Sequence, residues 1–371
     1  MEMRYGLIGA GMMGQEHIRN IDLLPNARVA AFFEPDDGMR AIASGLVPDA
    51  IVCNSVADLL NQEAINCLLI VSPNYLHVRQ LEEIASQRAL PVLVEKPLFT
   101  DPADLDRLVQ LRNGYPAPIW VAMEYRYMPP VAALIESADR VTGGVKMLTI
   151  REHRFPFLPK VGAWNRHNVN TGGTLVEKCC HFFDLMRHVM GCNPVRIMAS
   201  GAQDVNHKDE ISAGPAPDIW DNAYVIVDFE NGARALLELC MFAEGSRFQE
   251  EITAVGPEGK IECLVPGPGR FWPAHLGDPP VAQVIVSPRQ TKAPVAVPIP
   301  VDPRLLEAGD HNGSTFYQHE RFARALRGEG KIEVGFDDGW WAAAMGMAAQ
   351  QSALTGQAVK FSDVMLTPGR G

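Results

Sequence analysis

The 371-residue chain has room for two domains, and 47% hydrophobic residues supply a core of ordinary proportions. Its formal net charge of −11, from 33 Lys and Arg against 44 Asp and Glu, argues against a nucleic-acid partner, and no basic run would hold a membrane surface. No apolar stretch reaches the length of a spanning helix and no leader pattern precedes the first strand, while seven Cys, an odd number, fit reduced thiols in a cytoplasm.

In chain order, residues 4–8, 28–33, 67–71, 91–95 and 118–123 are short runs rich in Val, Ile and Leu. Residues 74–87 and 101–113 read as helices between them, the second opening on an Asp-Pro cap. Continuous apolar strands alternating with helices predict a doubly wound parallel sheet covered on both faces. Past residue 123 the rhythm changes. Residues 145–154 and 224–242 alternate in period two, and the second run turns at Glu230-Asn231-Gly232, a hairpin signal. A helix is expected over 172–190, closed by Gly191. Residues 256–303 hold 11 of the 28 Pro, which suits edge strands and irregular connections. Helices over 314–327 and 336–355 end the chain. The boundary is placed at residue 123, giving a nucleotide-binding domain 1–123 and a second α/β domain 124–371 built on a large, mostly antiparallel open sheet.

Gly9-Ala10-Gly11-Met12-Met13-Gly14 is a GxGxxG between the first strand and a helix. Its glycines permit a tight turn, a close approach of pyrophosphate to the backbone, and close helix–strand packing, with the helix N-terminus facing the phosphates. Glu34, twenty positions past Gly14 at the end of the second strand, can accept both ribose hydroxyls and would repel a 2′-phosphate. NAD is therefore expected over NADP. Ser72, Pro73, Asn74 and His77 follow the strand 67–71, and Glu95, Lys96 and Pro97 follow the strand 91–95, both at carboxyl ends where such sheets bind ligands. Pro97 keeps Lys96 extended at the sheet edge. There Lys96 either reaches a substrate oxygen over the cofactor crevice or is a surface Lys paired with Glu95.

Glu177, His181 and Asp184 are spaced i, i+4, i+7 on the expected helix 172–190, so they share one face. Two carboxylates and an imidazole on a half-buried helix are costly without partners, which points to proton transfer, with a satisfied core histidine as the alternative. Cys179 and Cys180 project about 100° apart on a helix and would not both reach one ion, so no metal site is expected.

These residues together resemble the Gfo/Idh/MocA oxidoreductase family over nearly the full length, through the glycine turn, Ser72-Pro73-Asn74 with His77, Glu95-Lys96-Pro97, Tyr125-Arg126-Tyr127, and the helix with His181 and Asp184. The resemblance implies a Rossmann domain, a tightly held nicotinamide cofactor, and oxidation or reduction of a sugar, inositol or related polyol. It also implies a C-terminal sheet used for homodimer or homotetramer contacts. By the same resemblance Lys96 and His181 are catalytic, Asp184 contacts substrate, and Lys96-Pro97 is a candidate cis peptide. The family's usual Asp-x-Gly-x-His reads Glu177-Lys178-Cys179-Cys180-His181 here, so Glu177 takes the place of the Asp and Cys179 that of the Gly.

The reading is an NAD-dependent dehydrogenase in which His181 takes the hydroxyl proton, Lys96 polarises the oxygen and Glu177 orients or charge-balances both. Glu124, Arg126, Trp164 and Arg166 are added as cofactor-side candidates, and Arg154, Asn165 and His311 as substrate-side candidates, from their positions between motifs. Two other readings stay open: glycoside cleavage through transient oxidation by NAD, and a non-catalytic NAD-binding sensor on the same fold. The expected partner is a small-molecule sugar or polyol, with no nucleic acid and no membrane.

Overall fold

A computed structural model of the chain describes residues 1–210 and 215–363. Six strands, β1 (Met3–Ile8), β2 (Ala27–Phe33), β3 (Ile51–Cys53), β4 (Cys67–Ile70), β5 (Val92–Val94) and β6 (Ile119–Val121), form one parallel sheet in the order β3-β2-β1-β4-β5-β6. The order reverses between β1 and β4, which opens a crevice at their carboxyl ends. β3 is the strand of this sheet that the sequence reading missed: it has only three residues, Ile51, Val52 and Cys53, too short an apolar run to stand out as a strand. Helices α1 (Met12–Asp22), α2 (Asp37–Leu46), α3 (Val56–Leu60), α4 (His77–Gln87) and α5 (Leu105–Gly114) complete this layer.

The chain then passes through α6 (Pro129–Thr142) into a nine-stranded sheet. Its strands are β7 (Met147–His153), β8 (Pro194–Ala202), β9 (Asn222–Phe229), β10 (Arg234–Cys240), β11 (Glu250–Val255), β12 (Gly259–Val265), β13 (Gln283–Pro288), β14 (Val295–Pro298) and β15 (Val359–Lys360). They run in the order β14-β13-β12-β11-β7-β10-β9-β8-β15, antiparallel except for the parallel β7–β10 pair. The expected hairpin joins β9 to β10. In the proline-rich stretch β12 is nevertheless an interior strand, because its own residues 259–265 contain no Pro.

The helix expected over 172–190 is broken. After α7 (Asn168–Thr171), α8 (Thr174–Glu177) and α9 (Cys180–Met190) are separate helices, and α9 ends at left-handed Gly191 as expected. Gly172 and Gly173 take φ of 74° and 93°, a conformation that favours glycine, and a Cβ on Gly172 would lie 2.9 Å from the Thr100 carbonyl oxygen. After α10 (Pro303–Ala308), α11 (Ser314–Leu326) returns to the first layer, where Phe322 packs on Trp120, and beyond it the Val334 carbonyl accepts from the Val121 N–H at 3.0 Å. α12 (Phe336–Thr355) spans both cores, with Trp340 in the first and Met345, Ala348 and Ala349 in the second. The first core thus draws on residues far beyond position 123. No helix among the described residues is long and apolar enough to cross a membrane.

Candidate active site

The turn from β1 to α1 is shaped to receive a dinucleotide. Gly9 has φ of 91°, and a Cβ there would lie 2.8 Å from the Ser72 nitrogen, while one on Gly14 would lie 2.7 Å from the Gly9 carbonyl oxygen. A Cβ on Gly11 would meet nothing within 4 Å, so open space lies beside the backbone where α1 begins. Glu34 ends β2 with each carboxylate oxygen taking one backbone N–H, Oε2 from Ala10 at 2.6 Å and Oε1 from Asp36 at 2.9 Å. Each oxygen keeps a second lone pair for a ribose hydroxyl. Arg40 folds back onto the Glu34 carbonyl at 2.9 Å and pairs with Asp37. On the far wall of the crevice, Asn74 Nδ2 is buried without a hydrogen-bond partner among the described residues, a donor suited to a bound polar group.

A cavity of about 880 Å³ extends from this turn into the second domain. Of the predicted residues, Met12, Met13, Lys96, Arg154, Asn165, Glu177, His181 and His311 line it. The peptide Lys96-Pro97 is cis. The Lys96 N–H donates to Glu95 Oε2 at 3.2 Å, and Glu95 Oε1 meets His17 Nε2 at 3.0 Å. His17 Nδ1 in turn lies 2.8 Å from His319 Nε2, and His319 Nδ1 lies 3.2 Å from the Tyr5 hydroxyl. Neutral imidazoles satisfy this chain if every donor points toward Glu95, so Glu95 is an anchor beneath Lys96 rather than a cofactor contact.

Lys96 Nζ donates to the Glu177 carbonyl oxygen at 3.1 Å. That carbonyl is available because the chain breaks between α8 and α9. Burial opposes the Lys96 charge, but Cys180, Glu95, Glu177 and Glu124 around it outweigh burial and hold its pKa above the usual value. His181 stacks on Tyr125, with ring centroids 4.1 Å apart and planes 6° from parallel. Lys178 Nζ bonds the Tyr125 hydroxyl at 2.6 Å and lies 2.8 Å from Glu152 Oε1. The imidazole is driven well below its ordinary pKa by burial first, then by Lys96, Lys178, His311 and Arg154. His181 Nδ1 is enclosed without a hydrogen-bond partner among the described residues.

Several expectations require correction. Glu177 does not stabilise a His181 imidazolium: its Oε1 lies 3.4 Å from Lys160 Nζ, and the forces on His181 all oppose the proton. The broken helix removes the regular i, i+4 relation on which that expectation stood. Asp184 and Arg126 form a buried ion pair with each other, Arg126 also reaching the Glu333 carbonyl, and neither lines the cavity. Arg166 pairs with Glu210, and Trp164 packs edge-on against Tyr75 beneath Lys160 Nζ, both outside the cavity lining. Glu124 is buried on the Thr315 hydroxyl at 2.6 Å. His77 joins the Pro97 and Ser72 carbonyls at 2.8 and 3.1 Å, and Ser72 Oγ bonds Gln80, so these side chains brace the crevice wall.

The sequence reading missed Tyr125, Lys160 and Lys178 in the lining, and Glu16, which bonds His311 Nδ1 at 2.7 Å. Burial opposes charge on His311, but Glu16 and Glu124 raise its pKa to about 9. Tyr125 had a legible signal, since it follows β6 at a carboxyl end; Lys160 sits in an irregular loop and had none.

Two family models match the chain: "Oxidoreductase family, NAD-binding Rossmann fold" over residues 3–123, and "Oxidoreductase family, C-terminal alpha/beta domain" over residues 138–361. The inositol 2-dehydrogenase of Leifsonia xyli subsp. xyli is 30% identical over 192 residues, covering 51% of this chain and 54% of that protein. The inositol 2-dehydrogenase of Corynebacterium glutamicum (strain R) is 27% identical over 239 residues, covering 64% and 66%. The chain therefore aligns with about half to two thirds of the length of these curated relatives. A levoglucosan dehydrogenase solved with NADH and levoglucosan shares the fold at a TM-score of 0.80 and 18% identity, covering 97% of this chain and 99% of that one.

Proposed function

The chain belongs to the Gfo/Idh/MocA oxidoreductase family, with an NAD-binding Rossmann domain, and from that premise we propose that it is an NAD-dependent dehydrogenase acting on a hydroxyl-bearing carbon of a sugar, inositol or related polyol. The observation that carries this reading is the convergence of Lys96 and His181 with Met12 and Met13 of the glycine turn on one cavity. Bound at that turn, the nicotinamide would supply the hydride acceptor. Lys96, held charged and fixed by the Glu177 carbonyl, donates a hydrogen bond to the reacting oxygen and stabilises its alkoxide character. His181 is neutral and accepts the hydroxyl proton at Nε2, the nitrogen left for it when Nδ1 is enclosed, which requires the Nδ1–H tautomer. The flat contact with Tyr125 fixes the ring, and Lys178 fixes Tyr125 in turn.

Glu34 supports NAD over NADP, since its carboxylate is pinned beside the glycine turn where a 2′-phosphate would meet like charge. Arg40, though close, is committed to Asp37 and the Glu34 carbonyl. The outer face of the nine-stranded sheet supports a homo-oligomer. On it Ile226 is flanked by Leu236 and Met198, beside Tyr224, which is 58% exposed. A screen of inositols, aldoses, uronates and amino sugars with NAD+ and NADP+, followed at the nicotinamide absorbance, tests the activity. Reduction of NAD+ by at least one polyol is expected; failure across the screen, or a strong preference for NADP+, contradicts the reading.

A further inference from the structure

Four basic side chains, Lys96, Arg154, Lys160 and Lys178, line the cavity with Glu177, while of the other lining carboxylates Glu16 is paired with His311 and Asp310 with Arg270. Lys96 and Lys160 both draw on Glu177, through its carbonyl and its Oε1 respectively. Behind the wall, Glu152 lies 2.8 Å from Lys178 but 3.6 Å from Arg154 Nη1, beyond hydrogen-bond reach. The Arg154 guanidinium, whose Nε bonds the Phe155 carbonyl at 3.1 Å and whose central carbon lies over the Phe155 ring, thus stands at the cavity in an ion pair with buried Glu152 but, among the described residues, without a hydrogen-bonded carboxylate. Glu250, directly across from Glu152 in the sheet, carries only part of a negative charge near neutral pH, since burial and Glu152 raise its pKa to about 7. Two acceptors of cavity-lining residues, Asn165 Oδ1 and Glu177 Oε2, are buried without hydrogen-bond partners among the described residues. Such a wall offers acceptors for hydroxyl donors and a planar fork for an anion.

We propose that the substrate is a sugar acid, a polyhydroxy monosaccharide whose single carboxylate seats on Arg154 while its hydroxyls reach Asn165 and Glu177. This rests on the dehydrogenase reading for its reaction and not for its binding. A carboxylate on Arg154 is bound through charge-assisted, bidentate hydrogen bonds that a neutral sugar cannot make. It also offsets the cations that press on His181, so the anionic substrate makes the base a better proton acceptor.

Calorimetric titration of the NADH-loaded protein with D-glucuronate, D-galacturonate, D-glucose, D-galactose and glucose 6-phosphate tests it. A uronate is expected to bind at least about tenfold more tightly than its neutral parent. Arg154→Met should remove that preference with NADH affinity held within about threefold, and Arg154→Lys, which keeps charge but not the fork, should retain part of it. Neutral sugars binding as tightly as uronates, the 6-phosphate binding most tightly, absence of uronate binding, or loss of NADH affinity in Arg154→Met would each overturn the proposal. Uronate binding dependent on Arg154 without NAD+ reduction by any compound upholds the anion site and sinks the dehydrogenase reading. Reduction by neutral sugars without a uronate preference does the reverse.

Discussion

At His181, burial and four surrounding cations act together against the imidazolium. An imidazole with a depressed pKa is neutral above that value, so the acidic limb of kcat/KM for oxidation should lie below the ordinary value of about 6.5, with a flat profile through neutrality. Glu177→Gln removes a carboxylate that serves Lys160 and Lys96, not His181. Turnover should fall while the limb stays in place; a pH–rate profile whose acidic limb moves with Glu177→Gln, or lies at about 7 or above in the wild type, contradicts this account. Lys96, Glu34 and the three glycines were legible because each sits at a motif position next to a strand end, and His181 because of its helical spacing with Glu177 and Asp184. The partner of Glu177 was not, since Lys160 approaches from a loop seventeen residues upstream.

Among the elements, period two in β7, β9 and β10 and the Glu230-Asn231-Gly232 turn were readable because one face of the sheet is buried and the pattern must follow. The break between α8 and α9 was not readable. The partner it serves is tertiary: the Glu177 carbonyl at the break takes Lys96 from another domain, while Gly172 and Gly173, both at positive φ, set where α8 begins. The β7–β11 register creates a further consequence by setting Glu152 opposite Glu250 inside the core. Burial, then the Glu152 charge, raises the Glu250 pKa to about 7 from an ordinary value of about 4.3. A carboxyl whose folded pKa is raised favours the folded state when protonated, and that advantage is lost as pH climbs from the unfolded value through about 7. Glu250→Gln should therefore raise Tm above wild type at alkaline pH, with the gain vanishing near pH 5, about where the unfolded carboxyl is protonated. A Tm difference that does not change with pH would mean the two carboxylates are not coupled through the register.

For the whole molecule, the alternation of apolar strands and helices disclosed the Rossmann layer, but not the return of α11 and α12 into its core, which no local pattern encodes. The outer sheet face predicts self-association: light scattering should find a dimer or tetramer, and Ile226→Arg, placing charge between Leu236 and Met198, should shift it toward the monomer. A wild-type monomer would remove that face from the account. In the proposed function the two domains act together, the glycine turn binding the cofactor and Lys96 acting on the substrate across the same cavity. The most direct measurement is the Lys96→Met variant, assayed in parallel for NADH affinity and for turnover with a substrate identified in the NAD+ screen. The account predicts NADH affinity within about threefold of wild type and turnover lower by about 10² to 10⁴. Turnover within about threefold of wild type, or loss of NADH binding along with activity, would contradict it.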